Sequence, residues 1–328
     1  MFQIESYTIA LTFMILSMLC WGSWANTLKL APGFRFQLFY WDYVIGLFVG
    51  AIFWGLTLGS TGNTGRPFLS DLTNADLHHM WLAMAGGIIF NVANLLLVAA
   101  IDIAGLAVAF PVGIGLALVV GAVGNYIVAP AGNPILLFGG VGVVSLAIVL
   151  DAIAYRLRER ERSITTRGVI ISLVAGLLMG SFYPLVVGAM SGSSAPGPYA
   201  TSFFFVVGVA LSAIVANTAL MLHPLDRREP AKFSGYIGAR FSWHLWGVLG
   251  GAIWCTGAIF NFVASQAHIV GPAVSYSIGQ GATMVSASWG VFVWREFAGA
   301  PARSKVLLVW MFVLFLSGLA AVALAPVF

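Results

Sequence analysis

A chain of 328 residues in which 60% are hydrophobic and only 8% are charged is too apolar for a water-soluble globular protein, where about a quarter of the residues carry charge. Its net charge of +4 does not indicate a nucleic-acid partner, because the basic residues lie between long apolar segments, where they orient a membrane protein. Cys20 and Cys255 fall inside such segments, so we expect free thiols and neither a disulfide nor a metal site.

Apolar segments of about 20 residues can cross a bilayer as helices, and the chain contains ten, which we number spans 1 to 10. They are predicted at residues 7–26, 38–58, 79–101, 104–128, 134–154, 168–190, 198–222, 243–265, 269–294 and 305–327. The sequence therefore predicts an all-α integral membrane protein, with ten transmembrane helices in one transmembrane domain over residues 1–328.

The basic residues lie almost entirely on one side of these spans. Fourteen of the fifteen Lys and Arg residues fall on the same face, and Arg66 alone falls on the other. Five of them lie in or beside the central loop 155–167, namely Arg156, Arg158, Arg160, Arg162 and Arg167. Because basic loops stay in the cytoplasm, we expect a multi-pass protein of the cell inner membrane, with a cytoplasmic central loop and both termini outside (periplasmic).

The segments on either side of the central loop resemble each other, which predicts two pseudo-repeats at 7–154 and 168–327. Residues 103–115 match residues 269–281 at an offset of 166, with six of thirteen positions identical, and a second match pairs span 1 with span 6 at an offset of 158. Five spans per copy is an odd number, so the second copy enters the membrane from the opposite side. Inverted repeats of this kind are typical of secondary transporters, which bind their solute between the two copies.

Two stretches near the amino terminus, MLCWGSWANTLKL at 18–30 and FYWDY at 39–43, resemble bacterial members of the drug/metabolite transporter superfamily. The resemblance is to the branch with glucose/ribose porters, rhamnose transporters and ureide permeases, and within it to the ureide-permease-like proteins. It implies a ten-span carrier that works by alternating access, with spans 5 and 10 peripheral. The short central loop departs from plant ureide permeases, which carry a long cytosolic segment there. No GxxxxGK[ST] motif is present, so direct use of ATP is not expected.

Polar and aromatic side chains within the spans are the candidate substrate ligands. Carboxamides offer two donors and an acceptor to an uncharged solute, and indoles offer a flat surface for a ring. The alternative roles are interhelical hydrogen bonds and an interfacial aromatic belt. The substrate-binding candidates are Trp21, Ser23, Trp24, Asn26, Asn91, Asn94, Tyr183, Tyr276 and Gln280.

Helix-breaking residues cluster in spans 4 and 9. Proline removes a backbone hydrogen bond and glycine lets a helix bend or pack closely. Candidates for breaking these helices and for gating are Pro111, Gly113, Gly115, Gly279 and Gly281. Glycines four residues apart, such as Gly46/Gly50 and Gly247/Gly251, are more typical of tight helix packing.

Three titratable residues are candidates for coupling transport to a cation, H⁺ or Na⁺. Asp42 lies in the first turns of span 2, Asp102 near the end of span 3, and His268 near the opposite face. Each has another interpretation. Asp42 could form an ion pair with Lys29, Asp102 could be a solvated helix end, and His268 could be an interfacial residue.

These features predict a secondary active transporter for a small neutral polar solute, a sugar or a ureide, nucleobase or nucleoside. We expect proton- or sodium-coupled uptake by alternating access, with the lipid bilayer as surroundings and no cofactor besides the coupling cation. Export of metabolites or drugs is the alternative within transport. An intramembrane enzyme is disfavoured because HExxH and GxSG motifs are absent, and a channel or structural protein is a third alternative. Substrate, cation, direction and oligomeric state stay open, with a homodimer as one assembly.

Overall fold

The computed structural model describes residues 1–158, 165–225 and 228–328, so Arg160, Arg162 and Arg227 lie outside the described residues. All regular structure in the described part of the chain is helical. The helices are α1 (Tyr7–Ser23), α2 (Asn26–Lys29), α3 (Phe36–Leu56), α4 (Phe68–Asn74), α5 (Leu77–Ala104), α6 (Leu106–Ala109), α7 (Leu116–Val128), α8 (Pro134–Arg158), α9 (Thr166–Ala189), α10 (Pro198–Leu222), α11 (Phe233–Ile237), α12 (Phe241–Ser265), α13 (Pro272–Gly279), α14 (Ala282–Ser288) and α15 (Ala302–Leu324), with π-helical segments at Phe110–Gly115 and Trp289–Val293.

The predicted fold class, an all-α membrane protein, is confirmed. Within the described residues, nine helical stretches are long and apolar enough to cross a membrane, and they coincide with spans 1 to 8 and span 10. Span 9 differs from the predicted continuous helix. It consists of α13, α14 and a π-helical segment, because the α-helical hydrogen-bond pattern is interrupted at Gln280 and Gly281, where several backbone N–H groups bond to carbonyls three residues earlier instead of four.

Side-chain caps set where several spans begin. Asp76 and Thr165 accept hydrogen bonds from backbone N–H groups three residues later, at the starts of α5 and α9. Such caps satisfy donors that the first helical turn leaves unpaired. At Asp76, the backbone and side-chain hydrogen bonds from His79 lower the pKa of the carboxyl to about 2, so the cap is ionised at neutral pH.

Spans 4 and 9 begin in the same unusual way. Gly105 precedes α6 with φ 78° and ψ 163°, and Gly271 precedes α13 with φ 79° and ψ 159°. This region of backbone space is essentially restricted to glycine. Pro111 then lies in the π-helical segment of span 4, since its ring and its missing N–H prevent a regular helical turn.

Glycines allow two pairs of helices to cross closely. At the crossing of α3 and α12, a Cβ on Gly46 would overlap the backbone of Val248, and one on Gly251 would overlap the backbone of Tyr43. The predicted role of Gly46 and Gly251 in tight packing is therefore confirmed. Such contact gains dispersion energy that lipid cannot supply as well.

A second crossing joins α5 to α10 in the same manner. Here Gly87 lies against the Phe205 carbonyl and Gly208 against the Met84 carbonyl. The helices α8 and α15 form a separate pair, in contact through Gly140 and Gly318. The bundle therefore has a core of crossing helices with the α8–α15 pair beside it.

Candidate substrate site

A cavity of about 260 Å³ lies between helices from both halves of the sequence. Spans 1, 2, 3 and 4 contribute to it from the first half, and spans 6, 8 and 9 from the second. Its wall consists of Trp21, Gly22, Trp24, Ala25, Leu28, Phe36, Phe90, Asn94, Leu97, Val98, Ile101, Ile114, Met179, Phe182, Trp254, Gln280, Ala282, Thr283 and Ser286. This volume is below the range of about 300–1,000 Å³ found for drug-sized ligands, so it suits a small solute.

Two carboxamides supply the strongest hydrogen-bonding groups of the wall. Gln280 lies at the interruption of span 9, and its side chain makes no hydrogen bond with any residue that the structure describes. Asn94 of α5 also lines the cavity and donates from Nδ2 to the Tyr40 hydroxyl at 3.3 Å, while its Oδ1 makes no hydrogen bond with a described residue. The cavity therefore offers donors and acceptors from both halves of the chain.

Aromatic rings form most of the remaining wall. The indoles of Trp21 and Trp254 are stacked, with 5.8 Å between ring centroids and 22° between planes, and Phe90 packs on Trp254 at 4.3 Å. Trp24 and Phe182 also line the cavity. Flat apolar faces beside carboxamides suit a planar or ring-shaped polar solute.

The wall has no Asp, Glu, Lys, Arg or His among its residues as the structure describes them. A charged solute would lose its hydration there without gaining a countercharge, which is costly in a membrane interior. A wall of this composition suits an uncharged solute better than an ion.

The cavity extends towards the basic face and is closed on the other side. Leu28, Phe36 and Ile101 of its wall lie at span ends, next in sequence to Lys29, Arg35 and Asp102. On the opposite side, buried rings of the spans pack together, including Phe205 on Trp254 at 5.9 Å and on Phe262 at 6.0 Å. A second cavity of about 490 Å³ lies beyond these rings.

Four of the nine predicted substrate ligands line the cavity: Trp21, Trp24, Asn94 and Gln280. Asn91 lies behind the wall, where its Oδ1 accepts from the Tyr40 hydroxyl at 2.7 Å. The structure therefore brings together residues from spans 1, 3 and 9 that the sequence singled out separately.

The other four predicted ligands bond to protein neighbours away from the cavity wall. Ser23 and Asn26 accept hydrogen bonds from the indoles of Trp289 and Trp294, at 2.8 and 2.6 Å. The Tyr276 hydroxyl donates to the Ala117 carbonyl at 2.9 Å. These groups join span 1 to span 9 and span 9 to span 4.

Tyr183, the last of these residues, belongs to a buried polar cluster centred on Asn261. The Tyr183 hydroxyl donates to Asn261 Oδ1 at 2.5 Å, and Asn261 Nδ2 donates to Ser17 Oγ at 3.2 Å and to the Ser275 carbonyl at 3.0 Å. The cluster joins spans 1, 6, 8 and 9 just beside Gly279, whose Cβ, if present, would lie 2.7 Å from Asn261 Nδ2. Asn261 was not among the predicted residues, although an asparagine inside span 8 could have been flagged.

Asp42 is buried in a cluster that differs from the predicted ion pair with Lys29. Its carboxylate accepts from the Tyr236 hydroxyl at 2.6 Å and from His244 Nδ1 at 2.8 Å. Burial and the bond to Asp42 raise the pKa of Tyr236. Lys29 pairs instead with Glu296, at 2.6 Å.

The other two coupling candidates lie apart from the cavity and from each other. Asp102 is 3.5 Å from Arg228 at the end of α5, so it belongs to a charged contact. His268 is exposed and lines the second cavity on the opposite side. Only Asp42, of the three, is buried within a span.

A charged cluster follows span 9 directly. Besides Lys29, the Glu296 carboxylate contacts the Tyr155 hydroxyl at 3.1 Å and Arg158 at 3.3 Å. Burial alone would raise the pKa of Glu296, but the hydrogen bond and charge of Lys29, with Tyr155 and Arg158, lower it below its ordinary value. The cluster ties the end of span 9 to spans 1 and 5.

Sequence reasoning also missed Asp151, a buried residue of α8 that is 5% exposed. Its Oδ1 has no hydrogen-bond partner among the described residues. Among the missed aromatic residues of the wall, Phe182 had a usable signal. The offset of 158 that pairs span 1 with span 6 carries Trp21 to Met179 and Trp24 to Phe182.

The sequence of this chain matches a known protein family. The family described as "Ureide permease" matches residues 39–163 and 159–325, which is most of the chain. The chain belongs to the ureide permease family. Its family is one of permeases, which are membrane transport proteins, and this agrees with the absence of enzyme motifs in the sequence.

Individual relatives match along nearly the whole length. Ureide permease 2 of Arabidopsis thaliana is 24% identical over 393 residues, covering 98% of each chain. Ureide permease 1 of the same plant is 22% identical, covering 98% of this chain and 97% of its own. These alignments exceed the 328 residues present here, so the plant proteins carry additional residues. A solved crystal structure with 15% identity shares the fold, with a TM-score of 0.63 over 97% of this chain and 98% of its own.

Proposed function

We propose that this permease carries a small neutral ureide or a related nucleobase through the cavity between its two halves. The observation that carries the proposal is the carboxamide of Gln280, which a break in span 9 aims into an aromatic cavity without a described protein partner. Ureides present alternating N–H and C=O groups on a flat frame. Carboxamides match that pattern, and the neutral wall suits an uncharged solute better than an ion.

The packing pattern supports the proposed inverted repeat. Three kinds of contact each occur twice. Span 3 packs on span 6, and the equivalent contact joins span 8 to span 1. Likewise, the contact of span 2 with span 8 is equivalent to that of span 7 with span 3, and the contact of span 4 with span 6 to that of span 9 with span 1. Spans 2 and 7, 4 and 9, and 5 and 10 pair with each other. Exchanging each span with the one five places away converts each of the first six contacts into another of the six and leaves the last three unchanged, as a pseudo-twofold axis requires.

Residues at equivalent positions support the same symmetry. The glycines that open spans 4 and 9, Gly105 and Gly271, are 166 residues apart and share one backbone conformation. Cavity residues also occur in pairs at the offsets of the two sequence matches. The pairs are Trp21 with Met179, Trp24 with Phe182, and Ile114 with Gln280.

We further propose that transport proceeds by alternating access, within the drug/metabolite transporter superfamily. A cavity open to the basic face and closed by aromatic rings on the other side is what one end state of such a cycle requires. If the basic face is cytoplasmic, the structure corresponds to an inward-facing state, with both termini outside. Asp42 with His244 is the coupling site that we favour, because an ionisable pair inside a span needs a purpose.

Uptake into proteoliposomes tests the proposal directly. The parent protein should accumulate labelled allantoin or uracil, with stimulation by an imposed proton or sodium gradient, and should take up glucose poorly. Gln280→Ala should lower this uptake, whereas Gln37→Ala, which removes a carboxamide outside the cavity wall, should leave it unchanged. Preference for glucose over both ureide-type solutes would contradict the substrate class, and gradient-independent uptake would contradict the coupling.

A further inference from the structure

Behind the cavity wall lies a buried polar layer made of Tyr40 and Tyr43 of α3 and Asn91 of α5, each with no measurable exposure. The two tyrosine rings are stacked, with 5.1 Å between centroids. The Tyr40 hydroxyl donates to Asn91 Oδ1 at 2.7 Å and accepts from Asn94 Nδ2 at 3.3 Å. Since Asn94 itself lines the cavity, the layer is hydrogen-bonded directly to the cavity wall.

Two groups in this layer are left without a partner. The Tyr43 hydroxyl and Asn91 Nδ2 are buried and make no hydrogen bond with any described residue. Buried polar groups are nearly always paired, because an unpaired one loses its bonds to water without replacement. Both groups can donate. A single acceptor oxygen from outside the described residues would satisfy both.

Trp24 separates this layer from the cavity. Its indole packs on the Tyr43 ring, 4.9 Å between centroids, and it also forms part of the cavity wall. Trp24 lies at the interruption between α1, which ends at Ser23, and α2, which begins at Asn26. Movement of the Trp24 indole would therefore connect the buried layer to the cavity.

We propose that Tyr43 Oη and Asn91 Nδ2 form a closed subsite for a carbonyl oxygen of the solute, which opens when Trp24 moves aside. The inference rests on the proposed function and deepens it, because it assigns the urea-type carbonyl to a pair of donors. In the closed state Trp24 keeps both donors out of water. In the loaded state the carbonyl accepts from both, while the adjoining N–H groups of the solute face the carboxamide oxygens of Asn94 and Gln280.

The subsite can be tested without disturbing the fold, because the Tyr43 hydroxyl bonds to nothing that the structure describes. Tyr43→Phe should keep the thermal stability of the parent and raise the KM for labelled allantoin about tenfold, the effect of losing roughly one good hydrogen bond to the solute. Tyr126→Phe is the matched control, since its ring packs on Phe138 of span 5 outside the cavity wall. That variant should transport like the parent.

Competition by two analogues identifies the bonded atom. Hydantoin is the ring of allantoin, and 2-thiohydantoin carries sulfur, a weak acceptor, in place of the urea oxygen. The parent should be inhibited more strongly by hydantoin, and Tyr43→Phe should lose most of this preference. An unchanged KM together with an unchanged preference in Tyr43→Phe would overturn the subsite while leaving the proposed function intact. If the parent takes up neither allantoin nor uracil, the proposed function fails, and the subsite fails with it.

Discussion

Spans 4 and 9 have the same framework of glycines but different chemistry. Both begin after a glycine in the left-handed region, and both carry two further glycines at positions related by the offset of 166. Between those glycines span 4 has Ile114 and span 9 has Gln280, and both residues line the cavity. Span 4 continues through a π-helical segment, whereas span 9 is interrupted at Gln280.

This difference shows which features of the cavity come from the glycines shared by spans 4 and 9 and which come from the unequal residue between those glycines. The shared glycines shape two irregular helices that face each other across the cavity, in contact where Tyr276 of span 9 packs on Gly121 of span 4. The unequal residues place a carboxamide on span 9 where span 4 has an apolar side chain. A solute with its own polar edge can then bind in a single orientation, which two identical walls would not enforce.

The opening glycines should produce the largest effect on stability. Gly105→Ala and Gly271→Ala each force a Cβ into a backbone region that costs about 1–3 kcal/mol. Gly271→Ala should be worse, because the new Cβ would also overlap Ala131. Gly139→Ala is the control, since nothing lies within 4 Å of a Cβ at that position. Thermal unfolding in detergent measures all three, and a neutral Gly105→Ala would show that the two helix starts are not equivalent.

The next largest loss of stability is expected from a substitution of Asn261, which anchors span 9 to span 8. Asn261→Ala removes two donor bonds, including the one to the Ser275 carbonyl of α13, and leaves the Tyr183 hydroxyl with only its longer 3.3 Å bond to the backbone carbonyl at position 261. A loss of about 2–3 kcal/mol is expected from buried groups left unsatisfied. The comparison variant is Asn125→Ala in span 4, because Asn125 bonds only to Gly121 of its own helix. Equal melting temperatures for the two variants would show that the bonds of Asn261 to other spans do not stabilise the protein more than a bond within one helix does.

Making span 9 resemble span 4 should affect transport more than folding. Gln280→Ile replaces the polar residue with the one found at the equivalent position of span 4, and it should raise the KM for allantoin about tenfold through the loss of roughly one hydrogen bond. Ile114→Val keeps an apolar side chain on span 4 and should change the KM little. If the two substitutions have the same effect, the asymmetry of the wall does not contribute to recognition.

The fold could be predicted from the sequence far better than the site. Apolar length fixed nine of the ten spans, but it could not distinguish a continuous helix from the interrupted span 9, since Gly279 and Gly281 are as compatible with tight packing as with a break. Side-chain direction was the main obstacle within the site. Ser23 and Asn26 lie beside Trp24 in the chain, yet they face the indoles of span 9 rather than the cavity.

Long-range partners were the second obstacle. An ion pair with Lys29 was the alternative considered for Asp42, because the two are close in sequence, whereas its partners come from α11 and α12, about 200 residues away. Asn261 bonds to three other spans. Neither arrangement follows from local composition. The sequence match at an offset of 158, by contrast, carried usable three-dimensional information, since it pairs Trp24 with Phe182 and both residues line the cavity.

The smallest effect is expected where charge, rather than packing, holds span 9. The span is followed by Glu296, whose pKa in the folded protein is lowered mainly by Lys29 against the opposing influence of burial. A lowered folded-state pKa means that the contribution to stability is present above the ordinary glutamate pKa of about 4.3 and is lost as the pH falls through the folded value. Because Lys29 is 45% exposed, solvent limits this contribution to about 1 kcal/mol or less.

Glu296→Gln should therefore melt slightly below the parent at pH 7, and the difference should shrink as the pH is lowered below about 4. Glu5→Gln serves as the control, since it neutralises an exposed carboxylate at the amino terminus, and it should show no pH-dependent difference. Span 4 ends at Val128 with no such charged cluster among the described contacts. A difference that persists at acid pH would mean that Glu296 holds span 9 through its shape and hydrogen bonds, as Asn261 does, and that charge adds nothing to the contrast between the two spans.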